Sequence, residues 1–366
     1  MSSSRLFSPL KLGNVTLEHR IAMAPLTRFR ADENHVPLPF VKEYYAQRAS
    51  VPGTLIVSEA TLVSKEAGTY SNVPGIYSKE QVSAWKEITD AVHEKKSFIY
   101  MQLWALGRVA DPEASRAEGV TIKSASAIPE EGKPAPKEMT QEDIKNFVAY
   151  YAQAARNAIE AGFDGVEIHG ANGYLIDQFT QDNSNQRTDS YGGSIENRSR
   201  FAIEVSAAVV DAVGADNVGI RLSPWSPFQG MRMTDPVPQF TDVVNKLKAL
   251  KLAYLHLVES RISGNAESEA TEKVDFAIEA WNNTSPILLA GGFTADSARE
   301  AAEEYKDRDV VIVFGRYFIS TPDLPFRVQK GIELTPYDRN KFYNAGEKDG
   351  YTTYPFSSEF AQAAKI

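Results

Sequence analysis

His169, Asn172 and Tyr174 crowd together in the stretch GFDGVEIHGANGYLIDQF, residues 162–179, directly after a short apolar run. If the chain bends into a helix there, an imidazole and a carboxamide at that spacing can aim N–H donors at one point. Paired donors of this kind stabilise charge that builds on a substrate oxygen. Tyr174 can then offer a phenolic proton to a neighbouring substrate atom. A structural histidine beside a loop-rim tyrosine is the plainer alternative, and residue types alone leave both open.

Other apolar runs also end in residues able to do chemistry: Thr27 and Arg28 after the first, Glu59 after the second, Gln102 and Trp104 in the third, Arg221 in the fifth and Glu259 after the sixth. Arg221 lies inside VGIRLSP, where an unpaired guanidinium would be costly, so an anionic partner is expected. An ion pair with Glu167 or Glu259 is the plain way to meet that need. The seventh and eighth runs end in AGGF and FGR, which set Gly291, Gly292 and Gly315 beside Arg316. Glycines there let backbone N–H groups approach a phosphate and the arginine adds a charged fork, a combination that predicts a phosphate site.

Several chemistries are not supported. The five histidines show neither H-x-x-x-H nor H-E-x-x-H spacing and cysteine is absent, so no metal site is expected. The sixth run, AYLHLVE, carries no lysine for a Schiff base, and there is no G-x-S-x-G elbow.

The elements that must position these residues alternate about eight times. Apolar runs such as SFIYMQLW, DGVEIHG, NVGIRLSP and VVIVFGR are separated by segments of helical spacing such as QEDIKNFVAYYAQAARNAIEAG. Near-continuous apolar strands covered by helices imply a parallel sheet, and eight such units match a single (β/α)8 TIM barrel spanning residues 1–366, with its active site at the strand C-termini. A doubly wound open sheet is the competitor, but no G-x-G-x-x-G follows the first strand. Thr140 and Asp143 predict a capping box opening the helix before the fourth strand, and Gly162 its end. LFSPLKLGNVTLEHR predicts an N-terminal β-hairpin turning at Gly13 and Asn14. Residues 111–137, rich in Pro, Gly and charge, predict a long loop after the third strand.

A net charge of −9 argues against a nucleic-acid surface, which relies on clustered Lys and Arg, so an anionic ligand needs a local basic pocket. No apolar run approaches the ~20 residues that cross a bilayer, and the first residues lack the apolar core of a secretory signal. The reading is a soluble, cytoplasmic protein with no membrane partner. The terminal AKI resembles a peroxisomal signal only loosely.

HGANGYLIDQF, continuing through SNQRTDSYGGSIENRSRF, resembles the signature of the Old Yellow Enzyme family, and along the chain MAPLTR, QLW, GIRLSP, HLVE, GGF, FGR and YP fall in that family's order. The resemblance implies FMN at the barrel mouth, NADPH as electron donor and an α,β-unsaturated carbonyl substrate, in a monomer or homodimer. Pro25, Thr27 and Ala60 would contact the isoalloxazine and Gln102 its pyrimidine edge. Arg221 would face N1, where reduced flavin accumulates negative charge. Gly291, Gly292, Gly315 and Arg316 would hold the phosphate. His169 and Asn172 would grip the enone oxygen while flavin N5 delivers hydride to the β-carbon and Tyr174 protonates the α-carbon. Trp104, Phe228 and Tyr343 would shape substrate choice.

Two positions depart from the pattern: Ala60 stands where some members have glycine, and the loop 259–273 lacks the aromatic of the yeast members. Relatives that isomerise rather than reduce replace the tyrosine, so Tyr174 favours net reduction. The alternatives are a flavin-dependent isomerase or dehydrogenase of a secondary-metabolite pathway, a phosphate-binding barrel lyase without flavin, and a non-catalytic flavin-binding module.

Overall fold

The computed structural model describes residues 4–263 and 266–364. Eight parallel strands close into a ring: β1 (Ile21–Met23), β2 (Leu55–Val57), β3 (Phe98–Trp104), β4 (Gly165–Gly170), β5 (Val218–Leu222), β6 (Tyr254–Val258), β7 (Ile287–Ala290) and β8 (Val310–Phe314). Each pairs with its successor, and β8 returns to β1 with Ile312 opposite Ile21, which closes the barrel and leaves no open edge. Their side chains are buried almost throughout, as strands covered on both faces require.

Eight helices wrap the ring: α1 (Val41–Arg48), α2 (Lys79–Glu94), α3 (Gln141–Glu160), α4 (Ile195–Val213), α5 (Pro236–Lys248), α6 (Asp275–Trp281), α7 (Ala295–Glu304) and α8 (Leu324–Lys330). Their starts follow from local chemistry. The capping box of Thr140 and Asp143 opens α3, and comparable boxes at Ser78 and Thr294 open α2 and α7. Gly162, at φ +86°, turns the chain from α3 towards β4.

The hairpin pairs Leu10–Leu12 with Val15–Leu17. Leu10, Leu12, Val15 and Leu17 pack with Leu55, Tyr100, Tyr254 and Val311, plugging the N-terminal end of the barrel.

Two expectations need correction. The second apolar run, TLIVSEATL, is not one strand: it breaks after Val57, with Glu59 in the break, and Thr61–Leu62 forms a short strand outside the ring, parallel to the end of β3. The break is stabilised by polar groups, because Ser58 Oγ accepts the Gln102 N–H (3.2 Å) and Tyr45 OH accepts the Glu59 N–H (2.9 Å). Nor is 111–137 merely a loop. Asp111 caps a helix at Pro112–Ala117, and Lys123–Ser124 pairs with Lys137–Glu138. Among the described residues no helix is long and apolar enough to cross a membrane. The last two residues of the AKI tail lie outside the described residues.

Candidate active site

The C-terminal strand ends enclose a cavity of about 540 Å³. Pro25 and Thr27 come from the end of β1, Ala60 from the break after β2, and Gln102 from β3. His169, Asn172 and Tyr174 follow from β4 and Arg221 and Phe228 from β5. Gly291 and Gly292 come from β7, Gly315 and Arg316 from β8, and Tyr343 from the C-terminal segment. The barrel thus brings to one surface residues that are far apart in sequence. Trp104 is the exception. It is fully buried and does not line the cavity; its ring meets that of Tyr174 edge-on at 5.0 Å, so it backs the tyrosine instead of facing a substrate.

The turn after β4 fixes the polar trio. Asn172 adopts φ +58°, a left-handed conformation that asparagine tolerates better than most residues. Its N–H donates to Ser223 Oγ (2.7 Å), and its carbonyl accepts from Gln229 Nε2. Gly173 follows at φ +79°, where a Cβ would come within 2.8 Å of Met231 Cγ, so only glycine fits. Its N–H donates to Asp177 Oδ2 (2.9 Å) and its carbonyl accepts from Gln178 Nε2 (2.7 Å). Tyr174 then caps the short helix Leu175–Thr180, and its ring meets the His169 ring at 4.8 Å.

Electrostatics sets the protonation of the trio. Burial, reinforced by the charge of Arg221, holds His169 well below the usual histidine range, so it is a neutral imidazole. Burial pushes the Tyr174 phenol up, which keeps its proton in place. Burial also pushes Asp177 up to about 7.

Beneath the cavity, Glu167 is completely buried. It accepts from Gln102 Nε2 (2.8 Å) and Tyr254 OH (3.1 Å), and His256 Nδ1 lies 2.7 Å from it. The alternative ion pair of Arg221 with Glu167 or Glu259 is not formed: Glu167 is paired with His256 and Glu259 with Arg261, and Arg221 Nε donates to His256 Nε2 (3.4 Å). Burial lowers the Arg221 pKa, with the opposing charge of Glu167 offsetting part of that effect.

Reading the residues had not pointed to Phe29, Tyr70, Gln229, Phe293, Tyr317 or Phe342, which also line the cavity. Gln229 carried a signal, a polar residue shortly after a strand end. Phe342 carried none, because a segment outside the barrel delivers it, together with Tyr343. Three buried arginines tie that segment down: Arg28 donates to the carbonyls of Phe342 (2.9 Å) and Gly350 (2.8 Å), Arg30 to Glu347 O (3.0 Å) and Arg48 to Tyr351 O (3.1 Å). Among the described residues no cluster of His, Cys, Asp or Glu could hold a metal ion.

The chain belongs to the NADH:flavin oxidoreductase / NADH oxidase family, whose sequence pattern matches residues 5–335. Its structure resembles that of the Old Yellow Enzyme from Pichia sp. AKU4542, with a TM-score of 0.90 and 40% identity, covering 97% of this chain and 94% of that one. It is 57% identical over 364 residues, 98% of each chain, to the chanoclavine-I aldehyde reductase fgaOx3 of Penicillium roqueforti. It is also 54% identical over 366 residues, 97% of each chain, to the NADP-dependent oxidoreductase lnbE of Aspergillus flavus. The protein is an FMN-dependent NADPH oxidoreductase of the Old Yellow Enzyme type, as the resemblance in sequence implied.

The cavity fits FMN on three observations. Its volume lies in the range of ligand pockets, roughly 300–1,000 Å³. His169 Nδ1 is buried there without a partner, which is costly unless a bound group or water meets it. A Cβ on Gly315 would meet nothing closer than Leu26 Cδ2 at 3.6 Å, so packing within the protein does not demand glycine at this point of the cavity wall.

Proposed function

We propose that this oxidoreductase saturates the C=C bond of α,β-unsaturated carbonyl compounds, with unsaturated aldehydes as the substrate class. The observation that carries the reading is the wall formed by His169 at the end of β4 and Asn172 and Tyr174 on the turn after it, three polar side chains lining one cavity. The aldehyde in the name of the Penicillium roqueforti relative supports the substrate class.

Pro25, Thr27, Ala60, Gln102 and Arg221 would hold the flavin ring, and Gly291, Gly292, Gly315 and Arg316 its phosphate. Bound FMN, reduced by NADPH, supplies the hydride that reaches the β-carbon. His169 and Asn172 donate hydrogen bonds to the carbonyl oxygen, where negative charge grows as the alkene is reduced. Removing one such donor typically costs about 3 kcal/mol of transition-state stabilisation. Tyr174 keeps its proton until the α-carbon needs it, which a general acid with a raised pKa can do without ionising first. Phe228 and Tyr343, both partly exposed at the mouth, would shape substrate choice. Trp104 would act only by bracing Tyr174.

Tyr174→Phe tests the assignment. Reoxidation of the NADPH-reduced protein by an enal should slow by about 10²-fold or more, the usual range for a lost general acid, while reduction by NADPH stays near the parent rate. Equal slowing of both half-reactions would refute the role.

A further inference from the structure

Glu167 has no part in the reaction proposed above, yet a completely buried carboxylate needs a compensating environment, since desolvating one costs far more than an aliphatic side chain would. Its partners supply that environment. Gln102 and Tyr254 donate to it, and His256 presents Nδ1 at 2.7 Å. With a carboxylate at Nδ1 the imidazole proton rests there, leaving Nε2 as an acceptor, and Arg221 Nε sits at 3.4 Å to donate to it. The imidazole thus links the carboxylate to the guanidinium, much as outer carboxylates orient histidine ligands at metal sites. Only the last member, Arg221, lines the cavity, together with Gln102; Glu167, His256 and Tyr254 do not.

We infer that Glu167 and His256 are positioning residues that aim Arg221 into the flavin cavity and offset its charge, so that the protein favours reduced FMN less than Arg221 alone would. Burial pushes the Glu167 carboxyl up, but the hydrogen bond from His256 and the charge of Arg221 outweigh it and hold the group below its usual range. His256 is held below the histidine range by burial and is therefore neutral, so the guanidinium and the carboxylate carry opposite charges across it. Removing the carboxylate charge leaves Arg221 uncompensated, and a cation favours the electron-rich form of a bound flavin.

The inference rests on FMN occupying the cavity and is independent of the enal assignment. Its test is the two-electron midpoint potential of the holoprotein, measured by dye equilibration for the parent, Glu167→Gln and Tyr254→Phe. Glu167→Gln should bind reduced relative to oxidised FMN about tenfold more tightly, a rise of about 30 mV for a two-electron couple. Tyr254→Phe, which removes a hydrogen bond but no charge, should keep the parent potential. A Glu167→Gln holoprotein with full FMN content and an unchanged or lower potential overturns the inference, as does an equal rise in Tyr254→Phe. A parent protein that takes up no FMN would instead overturn the cofactor reading. If Glu167→Gln fails to fold, the ¹⁵N spectrum of His256 in the parent decides: a protonated Nδ1 and bare Nε2 support the relay, and the reverse tautomer overturns it.

Discussion

Neutral His169 and protonated Tyr174 are the forms the proposed chemistry needs, and both are fixed by burial rather than by solution pH. A histidine held below its ordinary value stays uncharged above about pH 6.5, and a tyrosine held above its ordinary value stays protonated below about pH 10. Between those limits neither titrates. Asp177 does: its carboxyl, pushed up to about 7, accepts the Gly173 N–H that shapes the turn and loses much of that capacity once protonated. The rate of reoxidation by an enal should therefore be level from about pH 8 to about pH 9.5 and fall as pH drops through the value for Asp177. Stopped-flow profiles of the parent and Asp177→Asn check this, since the variant should lose the bend near pH 7. The trio itself was legible in the sequence, because polar residues directly after an apolar strand stand out. Glu167 was visible only as a possible partner of Arg221. Its actual role in the floor could not be read, since which strand residues face inward depends on register across the closed ring.

At the scale of elements, the turn 171–174 and the C-terminal segment 341–351 do most to shape the site. Asn172 serves the turn through its left-handed backbone, and in the proposed reaction its side-chain amide serves the substrate. Asn172→Asp separates the two: aspartate tolerates that backbone but offers an oxygen acceptor where a donor is needed. We expect stability within about 1 kcal/mol of the parent, and affinity for a phenol, which mimics the enolate oxygen, weakened by about 10²-fold. Fluorescence or absorbance titration reads the second and thermal unfolding the first. The C-terminal segment was invisible to hydrophobic periodicity, because buried guanidinium–carbonyl bonds, with Tyr44 stacked on Tyr351 at 4.0 Å, hold it against the barrel. Arg28→Lys cannot reproduce that fork and should cost about 3 kcal/mol in unfolding experiments. Because the segment carries Phe342 and Tyr343, KM for the enal should rise more than the rate of NADPH reduction falls.

Across the whole molecule, the eightfold alternation of strand and helix was legible because every barrel strand is buried on both faces and so reads as an unbroken apolar run. What escaped was local: the break in the second run and the pairing of Lys123–Ser124 with Lys137–Glu138 depend on hydrogen bonds between residues separated in sequence. The hairpin packs against the N-terminal end of the barrel, opposite the cavity at the C-terminal mouth. The central claim is that this mouth directs hydride to the alkene and leaves the carbonyl intact. The most direct test is one anaerobic turnover of the NADPH-reduced holoprotein with an α,β-unsaturated aldehyde in D₂O, with the product read by NMR. The expected product is a saturated aldehyde carrying deuterium at the α-carbon; an allylic alcohol with the double bond retained would mean that hydride goes to the carbonyl instead.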